Sequence, residues 1–212
     1  MAVAERRLRE KEARRVQILE VAKELFFDKG FEATTIEEIA AKTELSKGAI
    51  YLHFPSKEEI YISLMLQGTE ILYSMLKDAV NADLPADTLM RRLSQAYFRF
   101  YREYTQYFRM LFLYYSSLEV HQKLTMELRD RCEHSAKKCL NLLASIIEKG
   151  IEQGLFRPCN PWEIAIMTWS CKNGIILLGE RGDDQVLKLN TSIEKLHDLF
   201  VESMIAYLKS GR

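Results

Sequence analysis

Residues that interrupt helices are scarce in this sequence. Among 212 residues there are four prolines and nine glycines, and the prolines at positions 55, 85, 158 and 161 each stand where one predicted element ends and another begins. The sequence also lacks alternating segments rich in β-branched residues and flanked by hairpin turns, which are typical of strands. These absences exclude a β-rich fold and predict an all-α protein.

Long apolar runs are lacking as well. Runs such as residues 110–115 and 175–178 are far shorter than the roughly 18 apolar residues that a membrane-spanning helix needs. The first 15 residues are rich in charge and contain no apolar stretch of the kind found in a signal peptide. We therefore expect a cytoplasmic protein that does not bind a membrane.

A net basic charge is also absent, because 30 Lys and Arg residues are balanced by 30 Asp and Glu residues. In residues 1–57, 11 basic residues face 10 acidic ones, and the first 15 residues alone lean basic, with six against three. Nucleic-acid-binding proteins often carry a basic excess. Any DNA binding must therefore come from the positions of the charges and not from their number.

Signatures of metal binding and catalysis are missing. No C-x-x-C pair or zinc-like grouping with histidine occurs, so we expect small buried hydrophobic residues at Cys132, Cys139, Cys159 and Cys171. Glu194 and His197 have the spacing used by di-iron helix bundles, but no second such pair exists, and we expect a surface pair. Phosphate-binding loops, zinc-protease helices and serine-nucleophile turns do not occur. We predict no metal ion, no cofactor and no catalytic residue.

Apolar residues recur with helical periodicity along the chain. The first predicted helix covers residues 5–29 and ends at Gly30, which suits the left-handed conformation that terminates helices. From Pro85 onward we predict five more helices, at about residues 89–104, 107–115, 119–153, 161–180 and 192–210. Segments 164–169 and 175–178 are apolar on nearly every side, so the helix that contains them must be buried against something.

Capping residues delimit the helices between these two regions. Thr35 and Glu38 form a T-x-x-E capping box that starts a short second helix. Ser46 caps a third helix, which is predicted over residues 46–54. A further capping box, S-x-x-E at residues 56–59, opens a long fourth helix that continues to about residue 83.

A long helix, a short helix, a tight turn and a second short helix have the layout of a three-helix DNA-binding unit. In such units the third helix enters the major groove and helix N-termini bind phosphates. We predict a helix-turn-helix at residues 35–54, with Ile50 and Phe54 facing its core. Groups that suit phosphate, or close approach to the duplex, occur at Thr35, Ser46, Lys47, Gly48, Tyr51, His53 and Lys57.

A family resemblance is carried by residues 35–60, which read T-I-E-E-I-A-A-K-T-E-L-S-K-G-A-I-Y-L-H-F-P-S-K-E-E-I. The segment resembles the DNA-binding signature of the TetR (tetracycline-repressor) family. The distinctive parts are I-A in the second helix, S-K-G-x-I-Y-x-H-F in the third and S-K-E at the start of the fourth. The resemblance covers about residues 14–62, and the helical remainder is compatible with the family.

The resemblance implies roles for the matching residues. Phosphate contacts are implied for Thr35, Tyr51, His53 and Lys57, and contacts with base edges or backbone in the major groove for Lys47 and Gly48. From the residues alone, Tyr51 has a second interpretation, as a core aromatic residue. One departure is the turn between the short helices, where members often carry Ala-Gly and this sequence has Thr43 and Glu44. Glutamate in a left-handed turn costs about 1 kcal/mol.

The resemblance also implies a DNA-binding domain at residues 1–57 and a helical ligand-binding and dimerisation domain at residues 58–212. In the second domain a dense aromatic cluster has two interpretations, as helical core or as the wall of a cavity for an apolar or aromatic ligand. The candidate ligand-binding residues are Tyr97, Tyr101, Tyr104, Phe108, Phe112, Tyr115 and Trp169.

The leading hypothesis is a homodimeric repressor that binds a palindromic operator in double-stranded DNA and is released by a small hydrophobic or aromatic ligand. The helices at 161–180 and 192–210 would form a four-helix interface with those of a second chain, because a monomer would expose their apolar residues. The candidate interface residues are Ile164, Ile175, Leu178, Leu196, Phe200 and Met204.

The alternative hypothesis is an enzyme or a ligand-carrying helical bundle whose first helices are only structural. It would explain the neutral net charge and the aromatic interior. It does not explain why the S-K-G-x-I-Y-x-H-F segment stands where phosphate and groove contacts are expected. Variants at Lys47 and Tyr51 that fold but lose DNA binding would distinguish the two hypotheses.

Overall fold

The structure, a computed structural model, describes residues 2–111, 125–180 and 191–210. Throughout these ranges the regular elements are helices, namely α1 (Ala2–Ala33), α2 (Ile36–Thr43), α3 (Lys47–His53), α4 (Lys57–Ala79), α5 (Ala86–Glu103), α6 (Thr105–Arg109), α7 (Met126–Glu152), α8 (Pro161–Glu180) and α9 (Ile193–Lys209). The predicted all-α fold is confirmed. No helix in the described part of the chain is both long and apolar enough to cross a membrane.

Side-chain caps start the two short helices as predicted. The Thr35 hydroxyl accepts a hydrogen bond from the Glu38 backbone N–H at 3.3 Å, and the Glu38 carboxylate accepts one from the Thr35 backbone N–H at 2.9 Å. At the start of α3, the Ser46 hydroxyl accepts from the Ala49 N–H at 3.2 Å. Each cap satisfies a backbone donor that the helix itself leaves open, and such caps contribute about 1 kcal/mol.

Helix ends depart from the prediction by a few residues. Gly30 interrupts α1 with φ 82° and ψ 171°, a conformation open essentially to glycine, but the helix then resumes as far as Ala33. The fourth helix ends at Ala79 and not near residue 83. The reason is that Val80 and Asn81 donate to carbonyls three residues earlier, which turns the chain before Pro85.

The described residues pack into two compact units. The first comprises Met1–Gly68 and Arg109–Glu133, and the second comprises Thr69–Phe108 and His134–Arg212. The boundary predicted at residue 57 coincides with the first residue of α4 and lies within the first unit.

Each unit has its own buried core. In the first unit, α1, α2 and α3 pack on one another around fully buried Ile18, Ile39, Ile50 and Phe54. In the second unit, α9 packs against both α5 and α8. Burying a large aliphatic or aromatic side chain contributes about 1.5–3 kcal/mol, so these contacts stabilise the short helices far more than helix propensity does.

Two predictions about the burial of side chains are wrong, one for His197 and one for the cysteines. His197 is 1% exposed and not at the surface, because α9 packs on α5 and brings its ring to 5.0 Å from that of Phe98. Its predicted partner Glu194 is exposed. The cysteines are not all buried either: one is exposed, Cys171, one is buried, Cys132, and two are half-buried, Cys139 and Cys159.

Candidate nucleic-acid interface

The third helix presents a continuous face to solvent. Lys47, Gly48, Tyr51 and Leu52 are all exposed, and their spacing places them on one side of α3. The buried Ile50 on the opposite side anchors the helix in the core of the first unit. Tyr51 is 48% exposed, which excludes its interpretation as a core aromatic residue. The burial of Ile50 thus directs these four residues toward solvent.

Leu52 also lies on this face, although the sequence motif did not predict it. Leu52 is 81% exposed, although its neighbours in the chain include the buried Ile50 and Phe54. An exposed leucine can contact the methyl group of thymine in the major groove. The motif leaves this position unspecified, but its spacing from Lys47 and Gly48 was a signal that could have identified it.

Lys47 has a partner within the chain. Its ammonium forms an exposed ion pair with the carboxylate of Glu37 on α2, and this hydrogen bond lowers the pKa of Glu37. Exposed ion pairs contribute little to stability, typically under about 1 kcal/mol. A DNA phosphate or base edge could therefore replace Glu37 as the partner of Lys47 at small cost.

Arg15 fixes the far end of α3 and was also missed. Its guanidinium donates to the carbonyl oxygen of His53 at 2.6 Å and lies 4.2 Å from the ring centroid of Phe54. Gln17, also on α1, donates to the carbonyl of Thr43 at 3.1 Å, next to the turn before α3. The excess of basic residues among the first 15 residues could have drawn attention to Arg15. Both residues hold α3 in place.

His53 lies at the end of α3, half-buried. Burial lowers its pKa below the usual value, and the nearby charge of Arg15 lowers it further. The ring is therefore neutral at pH 7, and its Nδ1 has no hydrogen-bond partner among the described residues. A phosphate contact by His53, which stays a prediction, would use the N–H of a neutral ring.

Lys57 ties the start of α4 to the segment that precedes α2. Its ammonium donates to the carbonyls of Phe31 at 2.8 Å and Thr34 at 2.9 Å, and lies 4.2 Å from the Phe31 ring. An ammonium has three N–H donors, so one can still be directed at a phosphate near the start of α2. Lys57 therefore has a structural role in the fold, and its phosphate contact stays a prediction.

The hydroxyls of Thr35 and Ser46 serve first as helix caps. Thr35 also donates to the Glu38 carboxylate at 3.0 Å. An ion pair with Lys29 and the hydrogen bonds from Thr35 lower the pKa of Glu38 to about 2. The hydroxyl of Ser46 accepts within the cap. Contacts from these two residues to DNA stay predictions.

The turn between α2 and α3 adopts the left-handed conformation expected from the sequence. Glu44 has φ 56° and ψ 33°. Its backbone N–H bonds to the Ala41 carbonyl at 3.3 Å, and that of Leu45 bonds to the Ala40 carbonyl at 2.9 Å. The turn is thus closed by its backbone, and the Glu44 side chain is exposed.

Glu44→Gly is expected to raise the free energy of unfolding by about 1 kcal/mol, because glycine adopts this conformation without the Cβ penalty. Urea unfolding monitored by circular dichroism measures the change. Glu24→Gly is the matched control, since Glu24 is exposed within α1 and the change should cost about 1 kcal/mol there. A loss of stability in Glu44→Gly would mean that its side chain stabilises the turn.

In the second unit, three of the predicted ligand-binding residues come together. The ring of Phe108 lies 5.1 Å from that of Tyr101 and 6.3 Å from that of Tyr97. Tyr97 and Phe108 are buried and Tyr101 is half-buried. The other four predicted residues do not join this cluster of rings. Tyr104 is exposed and stacks on Phe100, and Trp169 is half-buried and hydrogen-bonds to Tyr97. Phe112 and Tyr115 lie outside the described residues.

The predicted interface residues divide by burial. Ile164 and Met204 are buried, Ile175, Leu196 and Phe200 are half-buried, and Leu178 is 52% exposed. Ile164 and Met204 are therefore covered within a single chain. The exposed large apolar residues of these helices are Trp162, Ile166, Met167, Leu178, Leu199 and Tyr207. We call these six residues the outer face of α8 and α9.

Comparisons with known proteins agree with this geometry. The family described as bacterial regulatory proteins, tetR family, matches residues 18–64. The HTH-type transcriptional activator FasR of Mycolicibacterium smegmatis is 31% identical over 102 residues, 48% of this chain and 47% of FasR, so the match spans about half of that protein. The HTH-type transcriptional repressor KstR2 of Mycobacterium tuberculosis is 29% identical over 147 residues, 69% of this chain and 70% of KstR2.

A solved structure extends the likeness to most of the chain. The TetR family transcriptional regulator PfmR from Thermus thermophilus is 27% identical, covers 90% of this chain and 98% of its own, and has a TM-score of 0.67. The family match falls on the residues that build α2, α3 and their core. Residues 18–64 thus match the tetR family of bacterial regulatory proteins, and the chain is similar to TetR-family regulators over most of its length.

Proposed function

We propose that this protein is a sequence-specific, DNA-binding transcriptional regulator: a homodimeric repressor that a small ligand releases from a palindromic operator. The observation that carries the proposal is the outward face of α3, where Lys47, Gly48, Tyr51 and Leu52 are exposed together above a buried anchor. A helix of this kind fits the major groove, and its side chains offer a cation, a close backbone approach, a hydroxyl and an apolar contact.

Placement of charge compensates for the neutral net charge of the chain. Lys47 already has a carboxylate partner in Glu37, so binding exchanges one anion for another and leaves no buried unpaired charge. The exposed basic residues near the start of α1, such as Arg7 and Arg9, add positive charge beside this unit. Affinity would thus depend on a few phosphate contacts and should fall as salt rises.

A second copy of the chain is the proposed occupant of the outer face of α8 and α9. Exposed small residues, Ser170 and Gly174 on α8 and Ser203 on α9, lie between the apolar ones. Small residues let helices approach closely, so the two helix pairs can form a four-helix interface. A dimer would present two copies of α3 to half-sites about one DNA turn apart, roughly 34–36 Å, which makes the operator palindromic.

The effector is proposed to bind in the second unit, near the cluster of Tyr97, Tyr101 and Phe108. Aromatic walls with a few hydroxyls suit an apolar or aromatic compound. A ligand can only shift the dimer away from its DNA-binding shape if it binds the other shape more tightly. Regulation by binding requires no catalytic residue, and we assign none.

Lys47→Ala and Tyr51→Phe are expected to fold normally and to weaken operator binding by roughly tenfold each. The two variants should differ in salt dependence. Removal of the Lys47 charge should reduce the log–log salt slope by about 0.9 for each phosphate that the lysine neutralises, whereas Tyr51→Phe removes a neutral donor and should leave the slope unchanged. Fluorescence anisotropy at several salt concentrations measures both quantities.

Lys77→Ala is the control, since Lys77 is an exposed lysine on α4. It should keep the affinity and the salt slope of the original chain. If Lys47→Ala and Tyr51→Phe also keep both, the outward face of α3 does not bind DNA and the proposed function fails.

A further inference from the structure

A buried lysine that pairs with no carboxylate among the described residues lies in the second unit. Lys172, near the middle of α8, is 2% exposed, and its ammonium donates to the Ser94 hydroxyl at 3.2 Å and lies 4.5 Å from the ring centroid of Tyr97. Burial lowers the pKa of Lys172 to about 7. A buried cation is ordinarily paired or coordinated, because its desolvation costs several kcal/mol. Among the described residues, the partners of the Lys172 ammonium are a neutral hydroxyl and an aromatic ring, and neither carries a compensating negative charge.

Other polar groups near Lys172 also lack partners. Thr168 precedes Lys172 by one turn of α8 and so shares its face. The Thr168 hydroxyl oxygen and the Nε2 atom of His197 are buried without a hydrogen-bond partner in the part of the chain that the structure describes. The charge of Lys172 acts on His197 strongly enough to help burial lower the pKa of that histidine to about 4. Three buried polar groups thus converge from α8 and α9 with unused hydrogen-bonding capacity.

A small cavity lies next to this cluster and shares Ser94 with it. It has a volume of about 160 Å³ and is lined by Arg91, Ser94, Gln95, Asp198, Val201 and Glu202. Ser94, the hydrogen-bond acceptor of Lys172, belongs to this lining. The volume is close to that of five liquid water molecules, at about 30 Å³ each. It therefore suits a small molecule or the end of a larger one.

We propose that Lys172 is the anchor of an effector that carries a carboxylate on a small apolar or aromatic body. The inference rests on the proposed function, in which the second unit binds an effector. A carboxylate would accept hydrogen bonds from both the Lys172 ammonium and the Thr168 hydroxyl. The aromatic rings of Tyr97 and Phe98 lie beside the cluster and suit the apolar body. Charge-assisted hydrogen bonds of this kind are about twice as strong as neutral ones.

Proton uptake follows from the same geometry. The titratable groups that face Lys172 are Tyr97 on α5 and His197 on α9, with Asp198 beyond the histidine at 3.4 Å. Burial raises the pKa of Tyr97 and lowers that of His197, so both side chains are neutral at pH 8. Lys172 is mostly neutral there too, and becomes charged when a carboxylate arrives. Binding should then take up about one proton.

The ligand-free protein offers an independent check. The pKa of Lys172 is lower in the folded chain than the unfolded value of 10.5. Between about pH 7 and 10.5 the unfolded chain therefore binds more protons, and stability should rise with pH through this window. Lys172→Met removes the buried ammonium at nearly constant shape. It should raise the melting temperature at pH 7 and abolish that rise with pH.

The decisive experiment compares two matched pairs of probes, phenylacetate with 2-phenylethanol and hexanoate with 1-hexanol, by calorimetric titration of the full chain. The original chain should bind the carboxylates in preference to the alcohols. Lys172→Met should lose roughly 30-fold or more in carboxylate affinity and none for the alcohols. Lys138→Met, which changes a lysine that pairs with Glu70 outside the cluster, should behave like the original chain. Lys172→Gln is a second variant if Lys172→Met fails to fold.

Operator binding is measured on the same samples. Lys172→Met with full DNA affinity and no carboxylate binding supports the inference. Carboxylate binding that survives in Lys172→Met, or carboxylates that bind no better than the alcohols to the original chain, overturns it and leaves the proposed function standing. Failure of the original chain to bind any DNA specifically would overturn the proposed function instead.

Discussion

Gly48→Leu is expected to fold at least as stably as the original chain and to lose about 100-fold in operator affinity. The fold tolerates the change because a Cβ at Gly48 would have the Ser46 hydroxyl oxygen, at 3.8 Å, as its nearest neighbour. Leucine has the better helix propensity, by up to about 1 kcal/mol. The added side chain points outward on the face of α3, so it would hold the helix away from the groove and disrupt contacts worth about 1–3 kcal/mol each.

Urea unfolding and operator titration on the same preparation measure the two effects. Ala136→Leu, at an exposed position of α7, provides a comparable enlargement in the second unit and should leave DNA affinity unchanged. Stability and affinity move in opposite directions in Gly48→Leu, which separates a binding role from a folding role. Undiminished operator affinity in this variant would show that α3 does not approach DNA through Gly48.

The double variant Ile166→Glu with Met167→Glu is expected to be monomeric and to bind the operator at least 100-fold more weakly. Ile166 and Met167 are exposed within one chain, at 48% and 43%, so the variant should fold. In a dimer, four added carboxylates would lie in an apolar interface, where unpaired charges are costly. A monomer engages one half-site and loses the avidity of linked binding, which amounts to about 10²–10⁴.

Sedimentation equilibrium and operator titration test this expectation together. Met126→Glu is the control, since Met126 is 80% exposed on α7 and lies outside the outer face of α8 and α9. It should remain dimeric and keep its affinity. A double variant that stays dimeric would place the interface elsewhere, and a monomer with undiminished affinity would remove the need for a dimer in DNA binding.

Local chemistry made the DNA-binding unit predictable. The caps at Thr35 and Ser46 and the left-handed Glu44 each depend on interactions within a few residues, and the structure confirms them. The buried position of Ile50 was predicted correctly, whereas the structure was needed to show that Tyr51 lies outward. Helix ends were less predictable, because turns such as that before Pro85 compete with one more turn of helix.

Long-range packing explains what the sequence did not reveal. Arg15 reaches the carbonyl of His53, 38 residues away in the chain, and no local pattern records that contact. His197 was expected at the surface as one member of a pair with Glu194, but packing of α9 on α5 buries it. Lys172 was overlooked for the same reason, since a lysine within an apolar helix is ordinarily assumed to reach solvent.

The most direct test of the central claim is a titration of the purified chain against DNA from its own upstream region, at several salt concentrations. The prediction is two chains per site, a salt slope that steepens by about 0.9 for each phosphate contact, and affinity at least about 10³ above that for random DNA. Binding no tighter than to random DNA, including sequences selected from a random pool and protein stripped of bound ligand, would contradict the claim that α3 reads an operator.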